Sequence, residues 1–331
     1  MGRSRSVLAA VVVVLLGSAL SACSSDDDPD VRTGGGVTQA TEAPTTTAGG
    51  ATGELGETQY VENATAFVDA ADWDAAETVT LELGEMYFTP SDLTFEAGKA
   101  YKLEMVNAGE EKHEFAAEDF ARGTAFRKVE DSDAEVKVPL FREIEVFADK
   151  SVEVFFVAVM PGTYDMFCEL EGHREAGMEG TITVTGEPPT TPAPVLGELA
   201  DGAWVQDGPA LVEAADWDAM ETVRIELGEM YFEPKDIALT AGTPYKLELV
   251  NAGEEKHELV AEDFFGTIAF RKAEDSVGEY KAPTVREVEV FAGKQLDLYV
   301  IPTEAGSFLL VCELEGHREA GMEGTITVNA G

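Results

Sequence analysis

The strongest constraint on how this chain folds is that it contains much of itself twice. Residues 168–184 recur without a change at 312–328, an offset of 144 residues, and residues 71–113 are mostly identical to residues 215–257. The shared blocks include Leu83-Gly84-Glu85-Met86-Tyr87-Phe88 and Leu227-Gly228-Glu229-Met230-Tyr231-Phe232. Between these blocks the copies have drifted. Solenoid units are roughly 20–50 residues long, so a period this large is a duplicated domain. A chain of 331 residues then holds two domains of ordinary size plus a leader and connections.

The expected layout is a leader over 1–22, a flexible spacer over 23–52, one domain over 53–186, a Pro-rich connection over 187–196 and a second domain over 197–331. In the leader, Arg3 and Arg5 precede an apolar run over 7–19 that is short for a bilayer span, and Leu20-Ser21-Ala22-Cys23 follows. The spacer is mostly Ser, Asp, Thr, Gly and Ala, with almost nothing to bury. Four prolines in the eight residues 187–194 predict a short, extended, semi-rigid connection.

Within each copy the local pattern is β. Residues 78–83, 101–106, 144–147, 151–157 and 181–184 alternate apolar with polar, and Thr89-Pro90, Ala97-Gly98, Asn107-Ala108-Gly109 and Met160-Pro161-Gly162 punctuate them. Short strands at this spacing predict an all-β sandwich or barrel. Short helical turns are expected near 64–71 and 116–120. An apolar fraction of 44% is enough for two packed cores.

Asp and Glu number 64 against 23 Lys and Arg, for a formal charge of -41. Phosphate binding needs a basic face, so nucleic acid and a bare anionic lipid surface are poor partners. The acidity fits a basic protein partner, a high-salt habitat or simply a well-solvated surface.

All four histidines, and two of the three cysteines, fall in the repeated constellation. The first set is His113, Cys168, His173 and Met178; the second is His257, Cys312, His317 and Met322. Two imidazoles, a thiolate and a thioether form the ligand set of a mononuclear copper electron-transfer site. A lone His is ordinarily a surface or core residue, and a lone buried Cys a small hydrophobe. Here the set recurs intact while the connecting sequence drifts, which favours ligation. Exported proteins commonly pair their cysteines, but a Cys168–Cys312 bridge would join two motifs that each carry metal partners, so coordination is the better reading. Tight spacing puts three ligands on one loop, and the distant His is expected to pin that loop to the other sheet. Met86, Met105, Met166 and Met230 are read as packing, and Glu110-Glu111-Lys112 as a solvated turn.

The order and spacing resemble the cupredoxin (blue copper) family, which includes plastocyanin, azurin, rusticyanin and auracyanin; the Cys-x4-His-x4-Met loop is similar to the rusticyanin and auracyanin variant. The resemblance covers residues 79–184 and 223–328. It implies two tandem Greek-key β-sandwiches, each with a type 1 copper. Cys168, His113 and His173 would form a trigonal plane with Met178 as weak axial ligand, and Cys312, His257, His317 and Met322 would do the same. In several members an Asn or Ser after the first His ties the two ligand loops together; here the residue is Glu114 or Glu258. Residues 20–23 resemble the bacterial lipobox, which implies cleavage before Cys23, a lipid on Cys23 and an extracytoplasmic, membrane-tethered protein.

The leading function is one-electron transfer with a redox partner, a cytochrome or a respiratory or copper enzyme. A copper nitrite reductase or multicopper oxidase needs several further histidines for its catalytic copper, and four histidines are consumed by two sites, so no enzyme activity is expected. Copper sequestration or delivery is the alternative.

Overall fold

A computed structural model describes residues 55–56, 58–199, 204–205 and 207–331. The leader, Cys23 and the spacer lie outside the described residues.

The chain forms two β-sandwiches. In domain one, the first sheet runs Tyr87–Thr89, Glu77–Gly84, Ala100–Asn107, Ser151–Ala158, Thr124–Glu130, Ala134–Lys137. The second runs Asp92–Glu96, Glu179–Thr185, Gly162–Phe167, His113–Ala116, Glu143–Val146. Domain two repeats this order, ending at Gly278–Lys281 in the first sheet and Glu287–Val290 in the second. Alternating sequence gives alternating burial, as in Ala100–Asn107, where every second side chain is buried. Leu81, Leu103, Met105, Val154, Phe156, Met166 and Ile182 fill the core of domain one. Helical turns occupy Ala64–Ala70 and Glu118–Arg122, close to the positions expected.

The domains are fused rather than merely linked. Ala134–Lys137 pairs antiparallel with Glu287–Val290, and Gly278–Lys281 with Glu143–Val146. Each sheet of domain one thereby continues into the opposite sheet of domain two, making two sheets of 11 strands related by a pseudo-twofold axis along the seam. The connection is docked as well. Leu196–Glu198 pairs with Gln59–Val61, and the Asn63 amide donates to Ala193 O at 3.0 Å and accepts from Val195 N–H at 2.8 Å.

This seam explains burial that alternation does not predict. Glu143-Ile144-Glu145-Val146 alternates charged with apolar, yet all four residues are buried. The Glu143 carboxylate meets Lys281 of the other domain at 2.5 Å, and Glu145 meets Lys112 at 2.7 Å. Glu287 is paired with Lys137, and Glu289 with Lys256 at 2.9 Å.

The register also fixes where the two halves meet. His113 lies opposite Val146, and Val146 lies opposite Gly278 across the seam. By the pseudo-symmetry, His257 lies opposite Val290, which lies opposite Ala134. Both first-ligand histidines therefore flank the same pair of tight turns, 131–133 and 275–277.

Candidate metal centres

His113 is the first residue of the strand His113–Ala116, and Cys168 follows the strand Gly162–Phe167. These strands are neighbours in one sheet, with Ala116 opposite Phe167. The expectation that the distant His joins the ligand loop to the other sheet is corrected here. The chain crosses between sheets before the ligand, over residues 108–112, so that His113 starts the strand beside the cysteine.

That crossing is held by Asn107, which is 1% exposed. Its amide donates to Glu111 O and Val146 O, both at 2.8 Å, and its carbonyl accepts from Gly109 N–H at 2.8 Å. Asn251 repeats all three bonds. Gly109 is required by space, since a Cβ there would lie 2.7 Å from His113 Nε2 and 2.5 Å from Glu85 Oε1.

The other three candidate ligands share a loop that closes on itself. Cys168 N–H donates to Met178 O at 3.0 Å, and Met178 N–H donates to His173 O at 3.0 Å. Gly172 and Gly177 adopt φ of 85° and 107°, values that glycine reaches without strain. The same bonds recur from Cys312 to Met322 and from Met322 to His317. On the loop of domain one, the Arg174 guanidinium lies 3.9 Å from the Phe167 ring centre. The equivalent of Phe167 is Val311, a difference immediately before the cysteine.

The structure thus brings His113, Cys168 and His173 together, and His257, Cys312 and His317; within each trio the ligand atoms lie within 4.8 Å of one another. Cys168 Sγ is 3.5 Å from His173 Nδ1, and Cys312 Sγ is 3.3 Å from His317 Nδ1. Met178 and Met322 are fully buried on the same loops. His113 and His257 are fully buried, whereas His173 and His317 keep 6% and 5% of their surface. Cys168 and Cys312 are separate free thiols, each in its own cluster.

Both ring nitrogens of His113 and of His257 are buried without a hydrogen-bond partner. Leaving a buried polar atom unmatched costs about 1–3 kcal/mol, so such nitrogens fit the role of metal donors. Glu85 approaches His113 Nε2 only to 3.7 Å, too long for a hydrogen bond. Burial pulls the imidazoles of His113 and His257 below their usual pKa and pushes the thiols of Cys168 and Cys312 up. Neutral imidazoles beside a thiol that ionises only when a cation is near are the donor set of a soft, borderline metal such as copper.

Around the ligands, Glu114 N–H donates to Cys168 Sγ at 3.4 Å and Glu258 N–H to Cys312 Sγ at 3.3 Å. In domain two the Glu258 carboxylate also accepts from Glu313 N–H at 3.2 Å, so a Glu after the first ligand ties its strand to the ligand loop. Glu85 accepts from the amides of Glu110 and Glu111 at 2.5 and 3.3 Å, and Glu229 does the same in domain two. Glu110 and Glu111 are exposed, as expected of a solvated turn, but Lys112 reaches back to buried Glu145. Met105 and Met166 are core residues, whereas Met86 and Met230 are corrected: they are half-buried turn residues with φ of 64° and 66°. Their side chains do not join the core, because the turn, not packing, sets their position.

Comparison with known proteins finds a matching family and similar proteins. A family model described as "Cupredoxin-like domain" matches residues 63–184 and again 209–328. The copper-resistant cuproprotein CopI of Rubrivivax gelatinosus is 32% identical over 115 residues, 33% of this chain and 67% of that protein. Among solved structures, auracyanin B is 20% identical with a TM-score of 0.25, covering 33% of this chain and 88% of its own. A copper-containing nitrite reductase from Thermus scotoductus SA-01 is 15% identical with a TM-score of 0.28, covering 77% of this chain and 62% of its own.

Proposed function

The chain belongs to the cupredoxin-like family and binds copper, and from that premise we propose that it carries one type 1 copper in each domain and transfers single electrons. The observation that supports this most is the closed ligand loop. Cys168, His173 and Met178 are held by backbone hydrogen bonds, and the fourth ligand is locked by Asn107. When bound, copper supplies a one-electron couple, and a donor set that cannot rearrange suits both of its oxidation states. The chain's own part is to hold the donors fixed, to aim an amide at each sulfur, and to bury all but an edge of His173 and His317, the edge nearest a partner.

In this reading the protein is a carrier rather than an enzyme, because all four histidines stand in the two clusters and none is left to build a catalytic copper. The lipobox-like residues 20–23 support tethering through Cys23 on the extracytoplasmic side of a membrane, where a cytochrome or a respiratory or copper enzyme would exchange electrons with it. Copper sequestration is the second reading, and the likeness to a copper-resistant cuproprotein is what favours it.

Copper titration of the full chain separates the two. Electron transfer requires an intense thiolate-to-copper visible band and a reversible one-electron couple; two working sites require two coppers per chain, and one copper per chain would mean that one repeat is inert. Cys168→Ala and Cys312→Ala, made singly, should each leave one copper and about half of the band. Rapid loss of copper to a weak chelator without such a band overturns the electron-transfer reading.

A further inference from the structure

The seam between the domains holds an acid pair that the copper chemistry does not use. The turns 131–133 and 275–277 meet at the pseudo-twofold axis, between the two ligand clusters. Each is closed by an aspartate. Asp131 Oδ1 accepts from Asp133 N–H at 2.6 Å and Ala134 N–H at 3.1 Å, and Asp275 Oδ1 accepts from Val277 N–H at 2.8 Å and Gly278 N–H at 3.0 Å. Asp131 and Asp275 are counterparts in the duplication, so the axis sets two like carboxyls against each other.

Their surroundings are not symmetric. Tyr280, 1% exposed, donates its hydroxyl to Asp131 Oδ2; its counterpart in domain one is Val136, which has nothing to donate. Asp275 Oδ2 is buried and receives no donor. Asp131 thus has donors on both of its oxygens, and Asp275 on only one. The other charged groups facing the pair are Asp133 and Lys294. Lys294 donates to Asp133 Oδ1 at 2.6 Å, and Ser276 donates to Asp133 Oδ2 at 2.5 Å, so this cation is already engaged and does not neutralise Asp275.

We propose that Asp131 and Asp275 share one proton across the seam, and that this proton is a latch: while it is present the two domains stay zipped, and its loss loosens the seam beside both ligand clusters. The chain links are short. Phe147 N–H donates to Val277 O at 2.9 Å and Phe291 N–H to Asp133 O at 3.0 Å, so the turns that carry the pair also carry the bonds at this end of the seam. With the proton present, Asp275 donates to the Asp131 carboxylate. Without it, two carboxylates face each other with Asp275 Oδ2 shielded from solvent, and like charges so placed repel. Burial and the nearby Asp131 charge push the Asp275 carboxyl up to about 8. The folded state thus holds a proton that the unfolded state releases near pH 4. The latch's contribution is full at acid pH and declines as pH rises from that value; at about 8 half of the pairs have lost the proton, and above it the seam loosens.

Hydrogen exchange of the full chain at pH 6.5 and 9.5, corrected for intrinsic exchange rates, tests this. Peptides spanning 131–147 and 275–291 should exchange at least tenfold faster at the higher pH, while the core strands of each domain hold. Asp275→Asn keeps a donor toward Asp131 without a titrating proton and should remove that acceleration. Tyr280→Phe, which takes a donor from the charged partner, should move the transition to higher pH. Glu114 and Glu258 are also buried at the seam and remain in both variants. A wild-type profile in Asp275→Asn would assign the loosening to them and overturn the proposal, as would a wild-type seam that exchanges equally at both pH values.

Discussion

The backbone amide of Glu114 donates to the sulfur of Cys168 at 3.4 Å, across 54 residues of chain. Glu258 and Cys312 repeat the contact at 3.3 Å. The bond exists because the strand of the first ligand lies beside the strand of the cysteine, so the residue after His113 must face the sulfur. It steadies the thiolate form, while burial steadies the thiol. For the metal-free protein, burial wins, and both thiols are pushed up.

Copper loading should therefore release protons. Each buried thiol is protonated at neutral pH and must ionise to bind, while His113 and His257, pulled down by burial, are already neutral and release none. About one proton should leave per copper, and affinity should rise about tenfold per pH unit until the thiol ionises by itself. Calorimetric titration in buffers of different ionisation enthalpy counts the protons; a count near zero would mean that the thiolates preexist.

Asn107→Ala should cost about 2–3 kcal/mol of metal-free stability, because it strands Gly109 N–H and Val146 O inside the protein. Its effect should go beyond stability. The crossing that delivers His113 loosens, so copper should raise the melting temperature of this variant less than that of the wild type, and site two should keep its affinity. Differential calorimetry with and without copper reads both effects.

Lys281→Met should show that the fused sheets matter. The substitution leaves Glu143 buried without its cross-domain cation, and such a loss approaches the 3–5 kcal/mol typical of breaking a buried pair. Lys281 keeps 36% of its side-chain surface, so about 2 kcal/mol is expected. Lys99→Met serves as control. Its partner Glu96 and Lys99 itself are both more than half exposed, and such a pair contributes under about 1 kcal/mol. Denaturant unfolding of both variants gives the comparison, and equal losses would remove the energetic role of the seam.

The two His/Cys/His groupings, the β class, the duplication and most strand positions were legible in the sequence, since they rest on local spacing and on two copies set side by side. The helical turn at Ala64–Ala70 and the strand Ser151–Ala158 follow from the same local rules. The placement of His113 in the same sheet as Cys168 did not follow. Alternation tells which face of a strand is buried but not which strand it pairs with. For the same reason alternation gives no sign that Glu143 and Glu145 are buried, and Met86 and Met230 read as packing.

By itself, then, the sequence determined what each domain can bind: four donors of the right kind, spaced so that three share a loop, and present twice. Only the tertiary structure decided that the two domains are one body. Pairing of Ala134–Lys137 with Glu287–Val290, and of Gly278–Lys281 with Glu143–Val146, joins residues more than 130 positions apart. No local pattern encodes such a contact. It arises because each sandwich ends in an edge strand whose free amides and carbonyls are satisfied by the other's, and that closure buries the charges and sets Asp131 against Asp275.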